Sequence, residues 1–222
     1  MATKKLASIK GRRMRLTRLD ECGVPVVGTC SSIVTEGFIQ VDVEEEYEDG
    51  EEISQKNAWG DYCIQDVGDD LVKWVNVSVN MCQVDPDALD VMARNATPVT
   101  SGSDTIGATF GRALASSAFA IEVWTKAAGQ DACAGGTTEW GYLVVPYVRN
   151  GRLSGALSIA NNALTVPIQG KGFPAPADWG VTPYNDNPLL MTGGFPESEM
   201  WGIVRTTVQP PAATAGCVAI TE

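Results

Sequence analysis

Histidine is absent from the 222 residues of this chain. Its absence excludes Ser-His-Asp triads, Cys-His dyads and histidine-built metal sites together. Long apolar runs are also missing. None approaches the ~20 residues that cross a bilayer, and residues 1–20 hold no signal-peptide core, so neither a membrane segment nor ordinary secretion is expected. The six cysteines (Cys22, Cys30, Cys63, Cys82, Cys133, Cys217) form no CxxC pair and are irregularly spaced, which speaks against zinc. Basic residues are scarce beyond position 18. Residues 1–18 hold seven of them and no acid, whereas the rest of the chain sets nine bases against 27 acids and carries −18.

What is present is an ordinary globular mixture, 44% hydrophobic and 19% charged. A chain of this length buries roughly 70% of its unfolded surface, so one domain over 1–222 needs no covalent staples. Most cysteines therefore read as small buried hydrophobes, with a disulfide formed late, outside a reducing compartment, as the alternative. The segment 1–18 reads as a basic arm. It suits either nucleic acid or the acidic body of a neighbouring copy, and that acidic body opposes conventional binding of duplex DNA.

The dominant period is two. Leu71, Lys73, Val75, Val77, Val79 and Met81 alternate with Val72, Trp74, Asn76, Ser78 and Asn80, predicting a long half-buried strand over 71–82. Further strands are expected at 33–48, 118–126, 139–149, 152–159, 163–170 and 200–208. Asn150-Gly151 predicts a hairpin turn between two of them, and Asn161-Asn162 another turn. Asp85 as N-cap, Pro86 at the first position and the Ala88, Leu89, Val91, Met92 stripe predict one short helix over about 85–94 that covers a sheet face, with Arg94 near its negative end. Residues 44–52 place seven acids in nine positions and read as a projecting hairpin with its tip near Asp49-Gly50. Residues 171–199 read as an irregular crossing, and 209–222 as a C-terminal tail.

Chemistry is hard to find. No phosphate loop, dinucleotide fingerprint or nucleophile elbow occurs. The acidic run and Asp69-Asp70 offer a charged field rather than two carboxyl groups with separated roles, and the alternating ligand loop of a calcium site is missing. Ser8 and Lys10 lie within the arm and make a poor dyad. Trp59, Trp74, Trp124, Trp140, Trp179 and Trp201 could stack on a sugar, but Trp124, Trp140 and Trp201 sit inside strand patterns, where packing is the commoner role. The expectation is no enzyme and no cofactor.

The stretch Gly11-Arg12-Arg13-Met14-Arg15-Leu16-Thr17-Arg18-Leu19-Asp20-Glu21-Cys22-Gly23 resembles the start of major tail proteins of long-tailed phages infecting actinobacteria. Met81-Cys82-Gln83-Val84-Asp85-Pro86-Asp87 before the short helix, Ala120-Ile121-Glu122-Val123-Trp124, Gly141-Tyr142-Leu143-Val144-Val145-Pro146-Tyr147 and Trp179-Gly180-Val181-Thr182-Pro183-Tyr184 are similar in the same order, spanning about residues 11–209. The resemblance implies a tail tube subunit, a structural virion protein assembled in the host cytoplasm. Its fold would be mainly β, a sandwich contributing to an inter-subunit barrel, with one short helix and a long projecting hairpin. Its partners would be itself, in stacked hexameric rings, and the tape measure, terminator and distal tail proteins. Genomic DNA would pass through without specific binding. The other readings are a capsid decoration or head–tail connector protein and a carbohydrate-binding β-sandwich module. From the charge asymmetry, Arg12, Arg13, Arg15 and Arg18 are expected to dock on Glu44, Glu45, Glu46, Glu48, Asp49, Glu51 and Glu52 of a neighbouring subunit, the arm ordering only on assembly.

Overall fold

The computed structural model describes residues 8–83, 85–93, 95–102, 104–112, 118–127, 138–155, 164–177, 179–180 and 194–220. The strands are β1 (Ser8–Leu19), β2 (Gly28–Thr35), β3 (Phe38–Glu48), β4 (Glu52–Lys56), β5 (Tyr62–Val67), β6 (Leu71–Met81), β7 (Ala96–Ser101), β8 (Asp104–Phe110), β9 (Ala118–Ala127), β10 (Trp140–Leu153), β11 (Val166–Gly172), β12 (Gly202–Thr206) and β13 (Val218–Ile220). The one helix among the described residues, α1 (Pro86–Met92), follows β6. The protein is mainly β, as expected.

Nine strands form one antiparallel sheet in the order β13-β2-β1-β9-β10-β11-β6-β3, with β12 also on β10; β4–β5 and β7–β8 are separate two-stranded ribbons. The sheet curls. Phe38, at the start of β3, lies so close over Gly11 of β1 that a Cβ there would sit 2.7 Å from its ring. The two strands do not pair, so no barrel closes among the described residues.

Alternation explains the layers. Met14 and Leu16 of β1, Ile33 of β2, Val75, Val77, Val79 and Met81 of β6, and Phe119, Ile121 and Val123 of β9 point into one core, which α1 closes with Ala88, Leu89, Val91 and Met92. Each such side chain, once buried, contributes about 1.5–3 kcal/mol. The helix begins as expected: the Asp85 carboxylate accepts from the amides of Asp87 (3.1 Å) and Ala88 (3.2 Å). Arg94 lies outside the described residues. On the other face of β1, β9 and β10, Leu19, Ala120, Trp124, Tyr142 and Val144 pack beneath Ala175, Trp179 and Phe195 of the irregular segment after β11.

Five expectations are corrected. Of the arm expected over 1–18, residues 1–7 lie outside the described residues and 8–18 are no arm: Ser8–Leu19 is an interior strand between β2 and β9. Arg13 and Arg15 alternate with Met14 and Leu16, whose side chains meet the core, and Arg13, Arg15 and Arg18 are partnered inside the chain while Arg12 stays on the surface. The stretch 33–48 is two strands, broken at Glu36-Gly37, that stand far apart in the sheet order. Asn150-Gly151 makes no hairpin. β10 runs straight through it with a bulge between Arg149 and Arg152, Asn150 taking φ +58°. Gly151 lies against the end of α1, where a Cβ would be 1.7 Å from the Met92 carbonyl oxygen; the dipeptide serves close helix packing instead of chain reversal. Finally, 209–222 is not simply a tail: Val218–Ile220 pairs with β2, and Cys217 is bonded to Cys30. Cys22, Cys63 and Cys82 are free thiols and exposed rather than buried. The Asn161-Asn162 turn lies outside the described residues.

Candidate assembly surface

The longest projection grows out of β3 and β6. Val75, Val77, Val79 and Met81 are buried, but Leu71 and Val72, on the same strand, are 70% and 37% exposed. The pair therefore leaves the core near Trp74 and carries on into solvent. Ladder pairing stops at Glu48 opposite Leu71 and resumes at Glu52 opposite Val67. Between them Gly50 and Gly68 meet so closely that a Cβ on Gly50 would lie 1.9 Å from the Gly68 carbonyl oxygen. The Gly50 amide donates to the Asp70 carboxylate (2.9 Å) and the Gly68 amide to the Glu51 carbonyl (3.0 Å). Asp70 is thus a fastening of this joint.

Beyond the joint, β4 and β5 form a ribbon whose every residue is exposed. The tip is a turn at Asn57–Asp61: the Asn57 side-chain oxygen accepts from the amides of Trp59 (2.9 Å) and Asp61 (3.0 Å), and the Asn57 amide donates to the Asp61 carbonyl (2.8 Å). The tip expected at Asp49-Gly50 is therefore displaced to Trp59, which is 92% exposed. Ile53, Tyr62, Ile64 and Val67 are each more than half exposed as well. Sequence reasoning missed this apolar ribbon. The acidic run before it dominated the reading, although Asn57-Ala58-Trp59-Gly60 between Ile53 and Tyr62-Cys63-Ile64 carries a turn signal flanked by β-formers.

The acids expected at the hairpin fall into two groups. Glu44, Glu45, Glu46 and Glu48 belong to β3, whereas Asp49, Glu51 and Glu52 line the joint. Glu45 accepts from the Tyr47 hydroxyl (2.5 Å) and from the Trp201 indole nitrogen (2.8 Å), and these two bonds hold its carboxyl below the usual carboxylate range. Donating to Glu45, and then the Glu45 charge itself, pushes the Tyr47 hydroxyl up. Glu46 accepts from the Asn76 amide (3.1 Å), and Glu48 lies 3.6 Å from the Lys73 ammonium. On the outward side of β3, β6 and β11, a groove of about 650 Å³ is lined by Asp42, Glu44, Asn76, Ser78, Arg152 and Lys171 among others. Acids and bases oppose each other there, so it offers phosphates no uniformly positive track.

The basic residues are brought to other partners. Arg13 pairs with Glu36 and donates through Nε to the Pro211 carbonyl (3.3 Å); Arg18 pairs with Asp90 of α1. Arg15 pairs with the buried Glu122, its second contact being 2.7 Å, and its guanidinium stands 5.6 Å from the centre of the Trp124 ring. Tyr142 donates to the same carboxylate (2.5 Å), and burial, followed by the Glu122 charge, raises its hydroxyl well above the ordinary tyrosine range. Only Arg12 of the four is fully on the surface. Among the described residues, then, the ion pairs of Arg13, Arg15 and Arg18 run to Glu36, Glu122 and Asp90 rather than to the acids of 44–52.

The tryptophans do not make a stacking platform. Trp124 and Trp179 are buried, Trp201 is held by Glu45, and Trp74 lies under Lys171, whose ammonium is 3.4 Å from the ring centre. Cys30, Asp87 and Cys217 bring donor atoms within 4.8 Å of one another, the two sulfurs joined as the disulfide. No described helix is long and apolar enough to cross a membrane. No protein-family profile and no curated protein matches the chain.

Proposed function

We propose that this protein is a structural, non-catalytic subunit that polymerises as stacked rings into a phage tail tube. The observation that carries the reading is the β4–β5 ribbon. An isolated two-stranded ribbon is marginal in water, and this one presents Ile53, Trp59, Tyr62, Ile64 and Val67, each more than half exposed, with no layer of described residues packed over them. A second copy is the partner that suits it. A ribbon reaching from one subunit to the next leaves an equivalent site open on the following subunit, so the contact is head-to-tail and propagates until a ring closes or a filament grows. The exposed edge of β3, the last strand of the sheet, needs the same remedy, because unpaired strand edges seek a ladder partner.

The charge pattern agrees with this reading. Asp42, Glu44 and Glu46, along the outward side of β3, would repel a passing phosphodiester chain and keep it sliding, with Arg152 and Lys171 limiting the repulsion. Arg12 and the joint acids Asp49, Glu51 and Glu52 stay exposed and suit contacts between copies. Electron microscopy of the purified protein tests the proposal. Hollow tubes or stacked six-fold rings are expected; a strictly monomeric particle at every concentration would remove it.

A further inference from the structure

We propose that the Cys30–Cys217 disulfide is a redox-operated clasp on the edge of the sheet. Oxidised, it holds the chain's own C-terminal strand against β2. Reduced, it opens that edge to the C-terminal strand of a second copy.

The inner side of β2 is paired with β1 from Met14 opposite Thr35 to Thr17 opposite Ser32. Among the described residues, its outer side is covered by the C-terminal segment. β13 pairs at Val218–Ser32 and Ile220–Gly28, with an irregularity between. Upstream, the Thr214 amide donates to the Val34 carbonyl (2.9 Å), and the Val34 amide donates to the Thr214 hydroxyl (3.1 Å). The Cys217 amide donates to the Asp87 carboxylate (3.1 Å) and Arg13 to the Pro211 carbonyl (3.3 Å). The segment buries no large apolar side chain of its own: Val218 is 43% exposed and Ile220 is half-buried, while Cys217 packs at the margin of the main core. A few polar contacts, this one packing contact and one covalent link hold it in place.

Removing the link leaves a strand that exchanges readily. The segment 207–216 between β12 and Cys217 reaches roughly 33–36 Å when extended, enough to span to an adjacent molecule. A second copy supplies the same Thr214, Cys217 and Val218 in the same order, so it satisfies Val34, Asp87 and Ser32 as well as the chain's own segment does. An edge with its own strand released is a template for this kind of addition, and exchange of an identical element is a low-cost route between copies. The half-buried sulfurs are within reach of a small thiol. A thiolate attacks one sulfur and breaks the S–S bond to give a mixed disulfide, which a second thiol displaces. The protein gains two electrons and two protons, and the two thiols leave as one small-molecule disulfide. The reverse reaction with such a disulfide closes the clasp, within one chain or between two. The inference does not depend on the tube reading.

Isotope-labelled and unlabelled full-length chains are mixed in equal amounts, reduced with dithiothreitol, and reoxidised with oxidised glutathione at increasing protein concentration. Remaining thiols are alkylated, and the Cys30–Cys217 peptides are identified by mass spectrometry. Linked peptides of mixed label are expected to rise from background to the share given by random pairing, and to stay at background in a mixture that was never reduced. Same-label pairs alone at every concentration would overturn strand exchange. Mixed pairs without reduction would overturn the gating.

Discussion

Glu122 is 1% exposed, holds Arg15 and accepts from Tyr142, and so joins two strands and the beginning of a third through one carboxylate. Removing one member of such a set strands the others. Glu122→Ala removes the buried carboxylate shared by Arg15 and Tyr142 and is expected to lose about 3–5 kcal/mol in urea denaturation. Tyr142 adds a pH dependence. Its folded-state hydroxyl titrates well above the unfolded value of about 10, so its contribution is complete below that pH and is lost as pH rises past it. Stability should therefore fall on the alkaline side, and Tyr142→Phe should flatten that decline in denaturation midpoints taken from pH 8 upward. Gly151 is constrained differently: a methyl group there meets the Met92 carbonyl, and Gly151→Ala should cost about 1–3 kcal/mol by the same measurement.

The ribbon separates stability from assembly at the scale of an element. Trp59 is almost fully exposed and Ile53 and Ile64 lie on the exposed ribbon outside both cores, so replacing all three with serine should change the folding free energy by no more than about 0.5 kcal/mol per site. The same variant should lose tube formation in electron microscopy. Tubes of normal length from it would show that the ribbon is not the docking element. Hydrogen exchange supplies a second readout. β4 and β5 amides should exchange fast in the free subunit and slowly in the assembly, because an exposed two-stranded ribbon opens readily until a partner covers it.

For the molecule as a whole, the disulfide closes the sheet against its own terminus. Cys30 and Cys217 are 187 residues apart, and chain entropy alone assigns a loop of that length roughly 5 kcal/mol of stabilisation. Cys217→Ser should lower the thermal midpoint accordingly, while leaving β1, β9 and β10 intact by circular dichroism. The buried members of the main core come from β1, β2, β6, α1, β9, β10 and β11, with the C-terminal segment adding the partly buried Cys217 at its margin, which is why loss of the clasp should loosen an edge rather than unfold the chain.

Local rules alone determined a good part of this protein. The Val75–Met81 alternation defined β6, because a period of two has one consistent burial pattern in a strand. Asp85, Pro86 and the Leu89/Met92 stripe defined α1, since capping and helical spacing act over a single turn. The zero histidine count narrowed the chemistry without any coordinates. Tertiary packing decided the rest. Whether Arg13, Arg15 and Arg18 stand in solvent or pair across strands depends on Glu36, Glu122 and Asp90, which lie far from them along the chain. Whether Asn150-Gly151 turns the chain or bulges it depends on the helix end lying over Gly151. The hairpin tip was misplaced because seven acids mark a solvated stretch but not where pairing ends; the Gly50–Gly68 contact and the Asn57 turn set that limit. Cys30 and Cys217 are bonded because β13 returns to β2, and no spacing along the sequence encodes that return.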